Sequence, residues 1–240
     1  MTDRLYIAAR APRPGFTKTR LGRVIGHESA ASIYAAFLTD LAARFASAPF
    51  DTGWYITPPD AWPEINTVLP HPRRSASVIP QPDGDWTCRQ RALFSGMQRR
   101  AESRTVLIAS DSPHLPIDHV TDAFELLRSR DLVFGPVEDG GYYLIGMSSP
   151  RATAVLDDVR MSTGDVLERL IERAKSLRLS VGLVSPTFDI DQADDLHKLI
   201  HEIAGRSDLA ATSKALERIG IATVPTVARY AQLTGIEADR

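Results

Sequence analysis

The segment that most constrains this chain is Thr105-Val-Leu-Ile-Ala-Ser-Asp-Ser-Pro-His-Leu-Pro116. Its apolar run, Val106 to Ala109, is the kind that a strand buried on both faces requires, and such strands belong to parallel sheets covered by helices. Pro113 lacks an amide hydrogen and drives Ser112 out of the helical region, so the strand stops near Ser110-Asp111. An aspartate there stands at the carboxyl end of a central strand, where open α/β sheets bind their ligands. Asp is also a common helix N-cap. Taken alone, the segment leaves both roles open for Asp111.

The rest of the chain alternates between strand and helix patterns. Leu5–Ala9 reads as the first strand and runs into a loop, Arg10 to Leu21, with two prolines, a glycine and four basic residues. Ile33, Phe37, Leu41 and Phe45 recur four apart and predict a helix over 27–46. Strands are predicted at 52–57, 77–80, 131–136 and 180–184, and helices at 61–69, 86–102, 117–129, 164–176 and up to about 205. Tyr142-Tyr-Leu-Ile-Gly146, just beyond Glu138-Asp-Gly-Gly141, suits a reversal into an antiparallel neighbour. The rhythm predicts an α/β domain over 1–205 with a mostly parallel central sheet covered on both faces. Residues 206–240 form a helical C-terminal extension expected to pack on it.

Composition narrows the partners. With 240 residues, 43% hydrophobic and 24% charged, the chain can bury a full core. A formal charge of −2 argues against a general nucleic-acid or membrane-surface binder. The single cysteine, Cys88, excludes an intrachain disulfide and a cysteine-clustered zinc site. No apolar run reaches membrane-spanning length and the chain enters its first strand directly, so a cytoplasmic protein is expected. Nothing in the sequence speaks to oligomeric state.

Three groups could carry chemistry. In the loop after the first strand, Gly15 permits close backbone approach, Lys18 supplies a point charge and Arg20 a bidentate fork, which together could wrap a polyphosphate. The loop has neither the P-loop spacing nor a Gly-x-Gly-x-x-Gly fingerprint. Second, Asp111 and the Asp189/Asp191 pair both follow strand-like runs and could face one sheet edge. Two carboxylates with the oxygens of a diphosphate make an ordinary site for Mg²⁺ or Mn²⁺. Asp194 and Asp195 read as helix-start charge. Third, Glu138-Asp139-Gly140-Gly141 sets two acids beside two glycines, where a substrate hydroxyl could be bound or deprotonated.

Together, Pro12-Arg-Pro-Gly-Phe-Thr-Lys-Thr-Arg-Leu21, Ile108-Ala-Ser-Asp-Ser-Pro-His-Leu-Pro116, the stretch from Phe134 to Gly146 and Phe188-Asp-Ile-Asp191 resemble a bacterial family with the glycosyltransferase-A (GT-A) fold. Its members carry the labels nucleotide-diphospho-sugar transferase or glycosyltransferase, some of them associated with radical-SAM proteins. The Lys-Thr-Arg-Leu loop is also similar to that of phospholactate guanylyltransferase. The likeness runs from about residue 4 to 200. It implies a three-layer α/β/α, Rossmann-like GT-A fold and a transferase using a nucleotide or NDP-sugar donor and a small-molecule acceptor. Two reactions stay open: glycosyl transfer, or nucleotidyl transfer from an NTP with release of pyrophosphate. A nucleotide-binding module without turnover is a third reading.

Residue by residue, the resemblance implies that Ala8, Ala9, Arg10, Gly15 and Ser110 lie at the nucleotide, with Lys18 and Arg20 at its phosphates and acting in catalysis. Asp111 and Asp191 would be the metal ligands. Gln81, Gly84, Asp85 and Arg89 match a family segment at the nucleotide, although Trp86-Thr87 replaces its usual Leu-Gly. Glu138, Asp139, Gly140, Gly141, Ser162 and Thr163 would meet the acceptor, with Asp139 or Glu138 as base. Met161 stands where Trp is frequent, and Gln192 where Thr is usual.

Overall fold

Alternate residues along most strands point into different cores, and this pattern organises the molecule. In β1 (Thr2–Arg10), Leu5, Ile7 and Ala9 join one buried cluster while Tyr6 joins another. The same division separates Val106 and Ile108 from Leu107 in β4 (Glu102–Ala109), and Val133 from Leu132 and Phe134 in β5 (Leu132–Pro136). A sheet with two buried faces needs helices on both, and that is the three-layer α/β/α arrangement expected from the sequence. The computed structural model describes residues 2–70, 77–157, 159, 161, 164–204 and 206–221.

One face is covered by α1 (Thr19–Ile25), α2 (His27–Arg44), α3 (Trp62–Val68), α5 (Ile117–Leu126), α7 (Ala193–Ile203) and α8 (Ala210–Arg218). The other is covered by α4 (Trp86–Ser95) and α6 (Val166–Ser176), together with a 3₁₀ segment at Pro150–Leu156. On α2, Ile33, Phe37 and Leu41 are fully buried, so the four-residue spacing marks the packed stripe. The C-terminal segment docks through a polar contact: Asp40 of α2 accepts the amides of Ala211 and Thr212 at 3.1 and 2.8 Å. Residues 222–240 lie outside the described residues.

Two departures from the sequence reading change the kind of element. The loop expected to run to Leu21 gives way to α1 at Thr19, because no proline follows Pro14 in this stretch and burial of Leu21 outweighs the helix-weakening Gly22 within it. The helix expected to reach Glu102 ends at Ser95, and Glu102 opens β4 instead. Its carboxylate is buried and accepts hydrogen bonds from Tyr6, Arg100 and Thr105 at 2.7–2.8 Å, which a helical end would not allow.

Among the described residues, seven strands form one sheet in the order β3-β2-β1-β4-β6-β5-β7, with β2 (Asp51–Thr57), β3 (Ser77–Pro80), β6 (Tyr142–Met147) and β7 (Val181–Leu183) completing it. β6 is antiparallel to both β4 and β5, as its reversal signal predicted, and the remaining pairings are parallel. Six strands therefore end on one edge. From β1 the chain builds outward to β2 and β3, and then returns to lay β4 on the other flank, so the switch of direction falls between β1 and β4.

Candidate functional site

A switch in strand order leaves a crevice, because the loops leaving the two central strands diverge. Here those loops carry Arg10 to Lys18 and Ser110 to Pro116. The helix following Asp111 begins at Ile117 with Pro116 in the cap position and no side-chain cap, so Asp111 is not spent on a helix end. Its Oδ1 lies 2.5 Å from the Nζ of Lys18. The same ammonium lies 3.0 Å from Oδ1 of Asp191. The Lys18 side chain is only 4% exposed, while those of Asp111 and Asp191 are 34% and 45% exposed. Burial pulls the lysine pKa down, but the attraction and hydrogen bonds of Asp111 and Asp191 outweigh it and hold the group above the ordinary lysine value.

The loop after β7 is fastened to the loop after β4 by several bonds. Ile190 donates its amide to the Asp111 carbonyl at 3.0 Å. The Ser112 hydroxyl donates to the Phe188 carbonyl at 2.7 Å. His114 shares a hydrogen bond of 3.0 Å with the Thr187 hydroxyl, and its ring stacks on Phe188 at 4.1 Å between centroids. Asp195 accepts the amides of Asp191 and Gln192, so it serves the start of α7 as the sequence indicated. Asp189 joins the acidic side of the cluster. Burial and the nearby charges of Asp191, Asp111 and Asp139 push its carboxyl up to about 6, against the pull of Lys18.

A cleft of about 180 Å³ opens beside this cluster, lined by Arg10, Thr17, Thr19 and Arg20 together with Lys18, Asp111 and Asp191. The Arg10 guanidinium lies over the Phe16 ring at 4.8 Å. Its amide donates to the Tyr34 hydroxyl at 2.9 Å, and that hydroxyl meets Ser110 Oγ at 2.7 Å. Tyr34 thus joins the ends of β1 and β4 from α2. The sequence reading missed it, although its place beside Ile33 on a buried stripe was the available signal. Gly15, with φ 72°, has open space where a side chain would stand, so its requirement is conformational. Ala9 lies in the core and Ala8 on the opposite sheet face.

The remaining predicted residues form two neighbouring groups. Beyond β3, Gln81 donates to the Tyr55 carbonyl at 2.7 Å and accepts from Arg89 at 3.1 Å. Asp85 accepts the Cys88 amide at 2.8 Å as the N-cap of α4, and Gly84 takes φ 117° just before it. Between β5 and β6, Asp139 accepts the Gly141 amide at 3.0 Å, and Gly140 takes φ 83°. A β-carbon on Gly140 would stand 1.8 Å from the Gly164 carbonyl oxygen, so this turn admits only glycine without rearrangement. Glu138 does not join the cleft. It pairs with Lys198 at 2.6 Å and lines a separate groove of about 340 Å³ with His114, His119 and Phe188. Ser162 and Thr163 lie outside the described residues.

Among the described residues, no three histidine, cysteine or acidic side chains converge as a ready-made metal cage. Asp111 and Asp191 nonetheless meet at a single positive atom and expose their remaining oxygens to the cleft, with Asp189 beside them. This donor set suits a hard divalent ion that takes further oxygens from a bound phosphate.

Comparison with known proteins agrees with the architecture. A structure from Desulfovibrio desulfuricans G20, provisionally named a nucleotide-diphospho-sugar transferase, is 28% identical, covers 91% of this chain and 97% of its own, and superposes with a TM-score of 0.81. A cytidylyltransferase from Leptospira borgpetersenii is 11% identical over 100% of this chain and 99% of its own, with a TM-score of 0.56. A CMP:2-keto-3-deoxy-manno-octonic acid synthetase bound to CTP is 10% identical over 85% and 99%, with a TM-score of 0.54. At those identities the last two share the fold alone. No curated protein matches the sequence. A family model described as an uncharacterized protein conserved in bacteria matches residues 41–163, which include Asp111 and the Glu138–Gly141 turn. The match spans just over half of the chain, and the protein is a member of this family, DUF2064.

Proposed function

We propose that the protein is a transferase that takes a nucleotide-activated donor in the β1–β4 crevice, most simply an NDP-sugar whose glycosyl group passes to a small acceptor. The observation that supports this reading is the meeting of Asp111, Asp191 and Lys18 in a cleft also lined by Arg10 and Arg20. Arg10 and Arg20 would hold the donor diphosphate, and Gly15 would let the backbone approach it. Gln81 and Arg89 would border the nucleotide from the β3 side. Asp111 and Asp191 would hold Mg²⁺ or Mn²⁺. Such an ion, when bound, offsets the charge that gathers on a leaving phosphate.

Asp139 is the better-placed base. It stands close enough to Asp189 to raise its pKa, whereas Glu138 is paired with Lys198 in the other groove. In the proposed step an acceptor hydroxyl gives its proton to Asp139 and its oxygen forms a bond to the sugar carbon. The bond from that carbon to the diphosphate breaks, and the nucleoside diphosphate leaves. Positioning carries much of the rate, because the leaving group is already activated.

One observation favours a second reading. Two cations, Arg10 and Arg20, line one small cleft beside the paired Lys18, and a triphosphate would use them more fully than a diphosphate. The acceptor would then carry a phosphate, attack the α-phosphorus and release pyrophosphate. Incubating the protein with NDP-sugars, and separately with NTPs and phosphorylated acids or sugars, separates the two by product. Nucleoside diphosphate release supports glycosyl transfer and pyrophosphate release supports nucleotidyl transfer. Binding without either product across both panels would leave a nucleotide-binding module.

A further inference from the structure

Lys18 is set in an unusual way for a residue meant only to touch phosphate. Its backbone is left-handed, with φ 47° and ψ 46°, a region that costs a residue with a side chain and is kept where something else requires it. That conformation sends the ammonium inward, beneath the two carboxylates. The lysine is almost wholly buried, while Asp111 and Asp191 stay open to the cleft. A divalent ion held by the same two carboxylates would stand within a few ångströms of the ammonium. Like charges at that separation repel strongly in a partly dried site.

Arg10 and Arg20, by contrast, form no ion pair among the described residues and line the same cleft. They remain available for an anion. An anion held there would lower the local positive charge that the ammonium imposes on an arriving ion.

We propose that Lys18 is an internal counter-ion to the Asp111–Asp191 pair, holding it assembled yet poor at binding a divalent ion alone, so that the ion enters only with an anionic phosphate. This rests on the divalent-ion reading above and adds an order to it: the metal arrives with the phosphate or after it. In the free protein the lysine fills the electrostatic role of the ion. Both loops are thereby held in the bound arrangement before any ligand arrives.

The test is equilibrium dialysis of Mn²⁺ against the full chain, with and without inorganic pyrophosphate. The samples are the wild type, Lys18→Met, Lys18→Gln and Lys18→Met/Asp111→Asn, each checked for folding by thermal melting. The wild type is expected to retain little Mn²⁺ alone and much more with pyrophosphate. Either Lys18 variant is expected to bind Mn²⁺ alone more tightly, by on the order of tenfold, and the added Asp111→Asn change to cancel the gain. Unaltered or weaker Mn²⁺ binding by the folded Lys18 variants would overturn the counter-ion role. So would wild-type binding as tight without pyrophosphate as with it, a result that needs no variant to fold. In both cases Asp111-dependent Mn²⁺ binding would leave the divalent site standing. If no sample retains Mn²⁺ under either condition, the divalent-ion reading itself fails.

Discussion

The hydroxyl of Ser112 and the carbonyl oxygen of Phe188, 76 residues apart in the chain, are joined by a hydrogen bond of 2.7 Å. That bond ties the loop after β4 to the loop after β7, and with it Asp111 to Asp191. Ser112 is almost fully buried, so its loss is not made good by water. Ser112→Ala should cost about 1–2 kcal/mol in urea denaturation. It should also speed hydrogen exchange at the Ile190 amide, which bonds the Asp111 carbonyl in the same clip. An unchanged exchange rate would mean that the two loops hold together without it.

His114 completes the clip and brings a pH dependence. Burial, followed by the nearby Arg206 and Arg44, lowers its pKa from 6.5 to about 4, so the fold holds the ring neutral. Between those values the unfolded chain binds a proton that the folded chain does not. Its contribution to stability is therefore present above pH 6.5 and is lost as pH falls toward 4, by roughly 2–3 kcal/mol. Denaturation midpoints across that window should fall more steeply for the wild type than for His114→Phe. Parallel curves would remove His114 as the source.

Glu102 anchors the opening of β4. Burial alone would raise its pKa, yet hydrogen bonds from Arg100, Tyr6 and Thr105 hold it below the ordinary glutamate value. Its carboxylate thus stabilises the fold above the usual glutamate range and ceases to do so as pH falls through its depressed value. Glu102→Ala takes the main acceptor from the buried Tyr6 hydroxyl and leaves Arg100 only the Leu93 carbonyl, and should cost about 2–4 kcal/mol by urea denaturation. Glu102→Gln should cost less, since it keeps an acceptor for some of those donors.

Gly140 is needed both for its φ of 83° and for the space its missing side chain leaves beside the Gly164 carbonyl. Gly140→Ala should destabilise by about 2–3 kcal/mol and shift the Asp139 carboxylate. Turnover should drop further than the loss of stability explains when measured on the fully folded variant. Normal turnover in that variant would take Asp139 out of the reaction.

What could be read from the sequence was whatever depended on neighbours along the chain. The buried β4 run and its stop at Pro113, the stripe Ile33-Phe37-Leu41, and the reversal after Gly140-Gly141 are local patterns, and each lies where it was expected. Sheet polarity then sends the strand ends to one edge, which is why Asp111 and the Asp189/Asp191 group could be assigned to the same edge in advance. The contact between Lys18 and Asp191 spans 173 residues, and nothing local distinguishes a lysine bound for phosphate from one bound for carboxylates. Only the left-handed backbone at Lys18 and the depth of its side chain make that distinction. Glu138 and Asp139 are adjacent in sequence, yet Glu138 pairs with Lys198 in a separate groove while Asp139 accepts the Gly141 amide within its own turn. Of the roles open to Asp111, the cap is closed by where the helix begins: α5 starts at Ile117, after Pro116.

The most direct test of the divalent donor site is thermal denaturation of the wild type and Asp111→Asn against a panel of NTPs and nucleotide sugars, each with and without Mg²⁺ or Mn²⁺. A ligand at about 100 times its dissociation constant stabilises by about 2.7 kcal/mol, or roughly 5–10 °C for a chain of this size. For the wild type, nucleotide and metal together should stabilise well beyond either alone, and Asp111→Asn should abolish that surplus while keeping the smaller shift from nucleotide alone. A metal-dependent shift that persists undiminished in Asp111→Asn would contradict the assignment of the site.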